Sequence, residues 1–89
     1  MEDRVVLLLG SNLGEREDNL LRAKKLLESN GFVIRNASSV YETASWGKED
    51  QPSFLNQCVE GSYELSAIDL LKLISEVEDN LKRKRKEKW

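Results

Sequence analysis

Arg4-Val5-Val6-Leu7-Leu8-Leu9-Gly10-Ser11-Asn12-Leu13-Gly14 is the stretch from which the fold can be read. Val5 to Leu9 is apolar without interruption and begins with two β-branched residues. It is too short for a helix that must bury a face, and a continuous apolar run reads as a central strand buried on both faces. Gly10 to Gly14 reads as a turn. Glu15, Glu17 and Asp18 then fill a first helical turn, where negative charge complements exposed backbone amides. Leu20, Ala23 and Leu27 recur at helical spacing with Leu26 beside them, so one face of that helix packs. Asn30-Gly31 is a stop signal, because glycine readily takes the left-handed conformation after a helix.

Further along, Phe32 to Tyr41 has strand composition at both ends and a polar middle, Arg35-Asn36, which predicts an edge strand. Tyr41 to Asn56 reads as a long loop containing Trp46, Gly47 and the only proline, Pro52. Hairpin connections usually take two to five residues, and longer loops in compact domains are usually binding loops or disordered. Phe54 to Tyr63 alternates: Leu55, Val59 and Tyr63 point one way, Phe54, Asn56 and Cys58 the other. Ser66 can cap a second helix, with Asp69 three residues on as a weak capping box, and Leu70, Ile74, Val77 and Leu81 form its buried stripe. The order strand, helix, strand, strand, helix predicts an α+β fold of ferredoxin-like type, βαββα(β), with the last strand missing. In that topology the missing strand would pair with the first, so one edge of strand 5–9 is left open to self-association with another copy.

Eighty-nine residues make at most one domain, and a chain this size buries roughly 60–65% of its unfolded surface. Val5 to Leu9 is far short of the ~20 apolar residues a membrane span needs, and Met1-Glu2-Asp3-Arg4 lacks the basic stretch and cleavage site of a signal peptide. The lone Cys58 cannot form an internal disulfide, and the expected location is cytoplasmic. The chain carries 14 Lys+Arg and 16 Asp+Glu, for a net charge of −2. Six of the basic groups and one acidic group fall in residues 82–89, leaving +5 on that end and −7 on the rest. Such polarity fits a nucleic-acid tail, a loop for a polyphosphate, or a solvated helix end.

The local motifs are weaker than the pattern. Gly10-x-x-x-Gly14 lacks a lysine and runs into acids that would repel phosphate, so a structural turn is the better reading. Glu15 and Glu17 are explained by the helix dipole. Of Glu76 and Glu78, the latter lies four residues from Ile74 and nearer the buried stripe, which makes it the better working residue, with a surface ion pair as the plainer reading. The sequence has no histidine, no cysteine cluster and no Asp-x-Asp, hence no metal set and no nucleophile–base pair.

Taken together, Val6-x-Leu8-Leu9-Gly10-Ser11-Asn12-Leu13-Gly14, Ser39-Val40-Tyr41-Glu42-Thr43 into Gly47, Asp50-Gln51-Pro52-x-Phe54-Leu55-Asn56, and Val77-Glu78 leading to Arg83-x-Arg85-Lys86-Glu87-Lys88-Trp89 resemble 6-hydroxymethyl-7,8-dihydropterin pyrophosphokinase of folate biosynthesis. The resemblance implies transfer of pyrophosphate from ATP to the hydroxymethyl group of a reduced pterin, with AMP released. That chemistry is mostly positioning plus neutralisation of phosphate charge. It implies that Thr43, Ala44 and Trp46 border the pterin, that Phe54 stacks on it, that Asn56 hydrogen-bonds its polar edge, and that Trp89 closes over it. Glu78, Arg83 and Arg85 fall on the nucleotide side, Arg83 and Arg85 as catalytic cations in a flexible basic loop, 82–89. ATP and Mg2+ are implied as well. In the family, the basic stretch runs on into Gly-Pro-Arg-Thr-x-Asp-x-Asp-Ile, whose aspartates hold magnesium. The metal ligands are therefore expected outside these residues, which alone make up a pterin-site half without activity.

Two departures stand out. Ala44 replaces the family's usual Pro, and Lys82 stands where Gly often precedes Arg-x-Arg, which favours a longer helix. The rival reading is a small α+β binding module whose basic tail contacts RNA or a protein partner. Against it, the body is acidic and the strands lack the exposed aromatic pair of an RNA-binding sheet.

Overall fold

A computed structural model describes residues 4–12, 14–44 and 52–87, the last six of them by backbone alone. The elements are β1 (Val5–Ser11), α1 (Arg16–Ser29), β2 (Val33–Ala37), β3 (Tyr41–Thr43), β4 (Phe54–Ser62) and α2 (Ala67–Glu87). The described strands form an antiparallel sheet in the order β1-β4-β2, with β3 also paired to β4. The fold is α+β.

β4 is the organising strand. Its register against β1 runs from Val5 opposite Gly61 to Ser11 opposite Leu55. Leu55, Gln57, Val59 and Gly61 are buried, and the residues between them are half-buried, as strict alternation requires. Both helices pack on the buried face. Leu20, Ala23 and Leu27 of α1 and Leu70, Leu73 and Val77 of α2 are buried there. All but Leu20 join Phe32 and Tyr63 in one core cluster, against which Val5, Leu7, Leu9 and Ile34 pack. The predicted α1 stripe is present as read. In α2, Leu73 was not anticipated and is buried, whereas Ile74 and Leu81 are only partly so.

Helix ends follow local chemistry. After Ser29, Gly31 has φ 96°, its N–H bonds to the Glu28 carbonyl at 3.3 Å, and the Phe32 N–H reaches back to the Leu27 carbonyl at 3.0 Å. This is a Schellman ending, and it turns Phe32 down onto Leu27 in the core. At the start of α2 the capping box is reciprocal. The Asp69 N–H donates to Ser66 Oγ at 3.2 Å, and the Ser66 N–H donates to Asp69 Oδ2 at 3.3 Å. The Ser66 hydroxyl also holds the Asp69 carboxyl below its ordinary range.

Four expectations change. β1 is not buried on both faces: Val6 and Leu8 are 59% and 66% exposed, because both helices cover the other side. Among the described residues β1 pairs with β4 alone. Gly10 and Ser11 belong to β1, since the ladder to Asn56 and Leu55 continues through them. The segment 32–41 is two strands. A register shift falls between Ile34 and Asn36, and at Ser38 a side chain takes over from the ladder. Ser38 Oγ accepts the Cys58 N–H, the Ser38 N–H donates to the Cys58 carbonyl, and buried Gln57 donates Nε2 to the Ser38 carbonyl. Finally, the supposed loop 41–56 has strands at both ends, Tyr41–Thr43 against Phe54–Asn56, so only 44–53 connects them. α2 continues through Lys82 to Glu87, in keeping with the helix preference of lysine.

Gly61 is where β2 crosses closest. A Cβ there would lie 1.9 Å from the Val33 carbonyl oxygen and 2.7 Å from Phe32 Cε1. The first of these is backbone and cannot swing aside. Gly61→Ala should therefore destabilise the fold by about 3 kcal/mol, the upper end for overpacking, which urea unfolding would measure. A loss under ~0.5 kcal/mol, the size of a neutral surface change, would contradict this packing.

Candidate functional site

The face of the sheet opposite the helices carries the polar and aromatic residues singled out above. Register places Thr43 opposite Phe54 and Tyr41 opposite Asn56, and Gly10 opposite Asn56 on the other side. Asn56 Nδ2 donates to Thr43 Oγ1 at 2.8 Å and to the Tyr41 carbonyl at 3.4 Å. Those two contacts fix which way its amide faces. Gly10 leaves room for the pair: a Cβ on it would lie 3.2 Å from Asn56 Oδ1 and 3.7 Å from Phe54 Cδ1. Tyr41 Oη and Cys58 Sγ lie 3.9 Å apart on the same face, and that contact raises the Tyr41 phenol above its ordinary 10.0.

Phe54 also reaches a cavity of about 330 Å3 lined by β1 and the two helices. Its floor is apolar, with Leu7, Leu9, Ala23 and Val77. Polar Ser11, Asn12, Asn19 and Glu78 line it as well. Asn19 Nδ2 donates to Ser11 Oγ at 3.0 Å, tying the first turns of α1 to the end of β1.

The expected site residues thus fall into groups. Thr43, Phe54 and Asn56 come together on one face, with exposed Ala44 directly after Thr43. Glu78 is not beside them, but it lines the same cavity as Phe54. Arg83 and Arg85 lie in the last turns of α2 by their backbone. Trp46 and Trp89 lie outside the described residues. Among the described residues no three His, Cys, Asp or Glu side chains converge as a metal site would require.

A second cluster escaped the sequence reading. Arg16, the first residue of α1, donates from Nη1 to Glu42 Oε2 at 3.1 Å, to the Ser53 carbonyl at 2.8 Å and to Ser53 Oγ at 3.0 Å. Ser53 Oγ in turn donates to Glu42 Oε2. These contacts span 26 and 37 residues of sequence, which no local pattern displays. The only hint was an acid and a serine flanking the long connection.

The family model for 7,8-dihydro-6-hydroxymethylpterin-pyrophosphokinase matches residues 6–89. The chain belongs to this family. It is 40% identical over 90 residues to the 2-amino-4-hydroxy-6-hydroxymethyldihydropteridine pyrophosphokinase of Bacillus subtilis, covering 100% of this chain and 54% of that protein. It is 40% identical over 85 residues to the protein of the same name from Aquifex aeolicus, covering 96% and 52%. It is also 39% identical over 83 residues to a mitochondrial folate synthesis bifunctional protein of Arabidopsis thaliana, covering 93% and 15%. The chain spans about half the length of the bacterial relatives.

The Ser53 hydroxyl first, and Arg16 second, hold the Glu42 carboxyl below its ordinary 4.5. A lowered folded-state pKa means that Glu42 contributes stability above its unfolded value and loses that contribution as pH falls through the folded one. The melting temperature of the protein should exceed that of Glu42→Gln at neutral pH, and the two should converge as pH drops below 4.5. Added salt should narrow the gap, since Glu42 is 57% exposed. A gap that widens in acid would contradict the assignment.

Proposed function

We propose that this chain is the pterin-binding part of an enzyme that transfers pyrophosphate from ATP to 6-hydroxymethyl-7,8-dihydropterin, with release of AMP, in folate biosynthesis. We further infer that β1 to α2 are the first five-sixths of a ferredoxin-like βαββαβ domain, with β3 a small addition, and that the protein works in the cytoplasm. Among the described residues, no helix is long and apolar enough to cross a membrane. The family membership supports the reaction class.

The observation that carries the pterin reading is the Thr43–Asn56 hydrogen bond, with Phe54 two residues away on the same face beside Gly10. A pterin is flat and has a polar edge of alternating donors and acceptors. An aromatic ring binds its face, and an amide whose orientation is already fixed binds its edge without further ordering cost. In this reading Thr43 orients Asn56, Ala44 and Trp46 border the ring, and Trp89 closes over it. Glu78, which lines the same cavity as Phe54, serves the nucleotide with Arg83 and Arg85. The guanidinium groups offset phosphate charge as it moves to the leaving AMP.

Magnesium, when bound to ATP, would screen the same charges. The described residues do not fit as its ligands, for want of converging carboxylates. The alternative reading, an RNA- or protein-binding module, has no observation in its favour beyond the basic residues at 82–89.

The test is a fluorescence titration with 6-hydroxymethyl-7,8-dihydropterin. Phe54→Ala and Asn56→Ala should each weaken binding about tenfold, the loss of roughly 1.4 kcal/mol, while Phe54→Tyr keeps it. Arg83→Ala and Arg85→Ala should leave pterin affinity unchanged and weaken ATP. Pterin binding that is indifferent to both Phe54→Ala and Asn56→Ala would sink the site, and no pterin binding at all would sink the function.

A further inference from the structure

We propose that Arg16 is a positioning residue that sets the affinity for the pterin from the opposite face of the sheet, by clamping both ends of the connection between β3 and β4. This rests on the pterin reading above. Glu42 immediately precedes Thr43, and Ser53 immediately precedes Phe54. The backbone of a strand sends successive side chains to opposite faces. Gripping Glu42 and Ser53 on the helix side therefore fixes the direction in which Thr43 and Phe54 leave on the other side. One guanidinium nitrogen does this for both strands at once, through the Glu42 carboxylate and through the Ser53 carbonyl and hydroxyl.

The geometry suits the task. The contacts sit at the root of the connection, with residues 43–52 between the gripped positions and the candidate ligand contacts one residue from each grip. Closing a loop of that length costs conformational entropy that ordered stems offset only if their register is fixed. β3 is three residues long and, among the described residues, pairs with β4 alone, so its own ladder supplies few bonds. Arg16 is well supported for this: its side chain is only 31% exposed, and it starts α1, whose next turns bury Leu20 and Ala23 in the core. The clamp thus refers the ligand contacts to the rigid body of the protein. It also couples them to the end of β1, because Asn19 on the same helix binds Ser11. Arginine suits this better than lysine, since its planar head is rigid and weakly hydrated, whereas an ammonium is a strongly hydrated point charge on a flexible stem.

The experiment compares the protein with Arg16→Met, Arg16→Lys and Ser53→Ala, together with the double mutant Arg16→Met/Glu42→Gln. Two readouts are taken: the Kd for 6-hydroxymethyl-7,8-dihydropterin, and amide exchange residue by residue. Arg16→Met should raise Kd about tenfold and speed exchange at Thr43, Phe54 and Asn56 by a similar factor, leaving Leu27 and Val59 unchanged. Arg16→Lys and Ser53→Ala should fall between. Adding Glu42→Gln to Arg16→Met should cost little more, because the pair acts as a unit. Equal Kd values for Arg16→Met and the parent would overturn the proposal. So would exchange that rises uniformly across the protein, which marks a merely structural role. If Arg16→Met does not fold, Arg16→Lys and Ser53→Ala decide by the same two readouts. A parent protein that binds no pterin would refute the proposed function, and exchange at Thr43 and Phe54 would still decide whether Arg16 orders the connection.

Discussion

The antiparallel pairing of β1 with β4 is the constraint on which the rest depends. A strand has a period of two, so one register decides every side chain's face. With Val5 opposite Gly61, Leu55 and Val59 go to the helices together with Leu7 and Leu9. The same register leaves Phe54 and Asn56 on the uncovered face against Gly10. A slip of one residue would bury Asn56 and expose Val59. Gly61 defends the register from the other side, because only a residue without a Cβ allows the Phe32–Val33 backbone so close. The Schellman ending of α1 delivers that backbone to its place.

Core and candidate site are therefore two faces of one strand. The helix-facing residues hold the sheet flat against α1 and α2, and the others are free to serve a ligand without disturbing the packing. The Arg16 cluster follows the same logic. It lies on the scaffold side and acts on residues whose neighbours face outward. Membership of the pyrophosphokinase family fits this division, since positioning carries most of the burden in phosphoryl-type transfer.

Much of this was legible from residues alone. The α1 stripe of Leu20, Ala23 and Leu27, the Gly31 stop, the Ser66–Asp69 capping box and the alternation of β4 all depend on neighbours within four residues, and all were read correctly. Readings that depended on distant partners went astray. Val6 and Leu8 are as apolar as Leu7 and Leu9, so the sequence predicts β1 buried on both faces. Only the placement of both helices on one side distinguishes them. The break within 32–41 has no local signal, because what replaces its ladder is Ser38 bonding to Cys58, 20 residues away.

The sequence by itself determined both helices, the strands at either end of the sheet pattern, the buried stripe of α1, the α+β class and, through its motifs, the resemblance to a pterin pyrophosphokinase. These are encoded locally, in periodicity, caps and short motifs. Tertiary structure alone decided which face of β1 is covered, that Tyr41–Thr43 becomes a strand, that Asn56 is oriented by Thr43, and that Arg16 grips Glu42 and Ser53. The reason is physical. Each of these rests on hydrogen bonds or packing between residues far apart in the chain, and such partners acquire identity only once β4 has fixed the register of its neighbours.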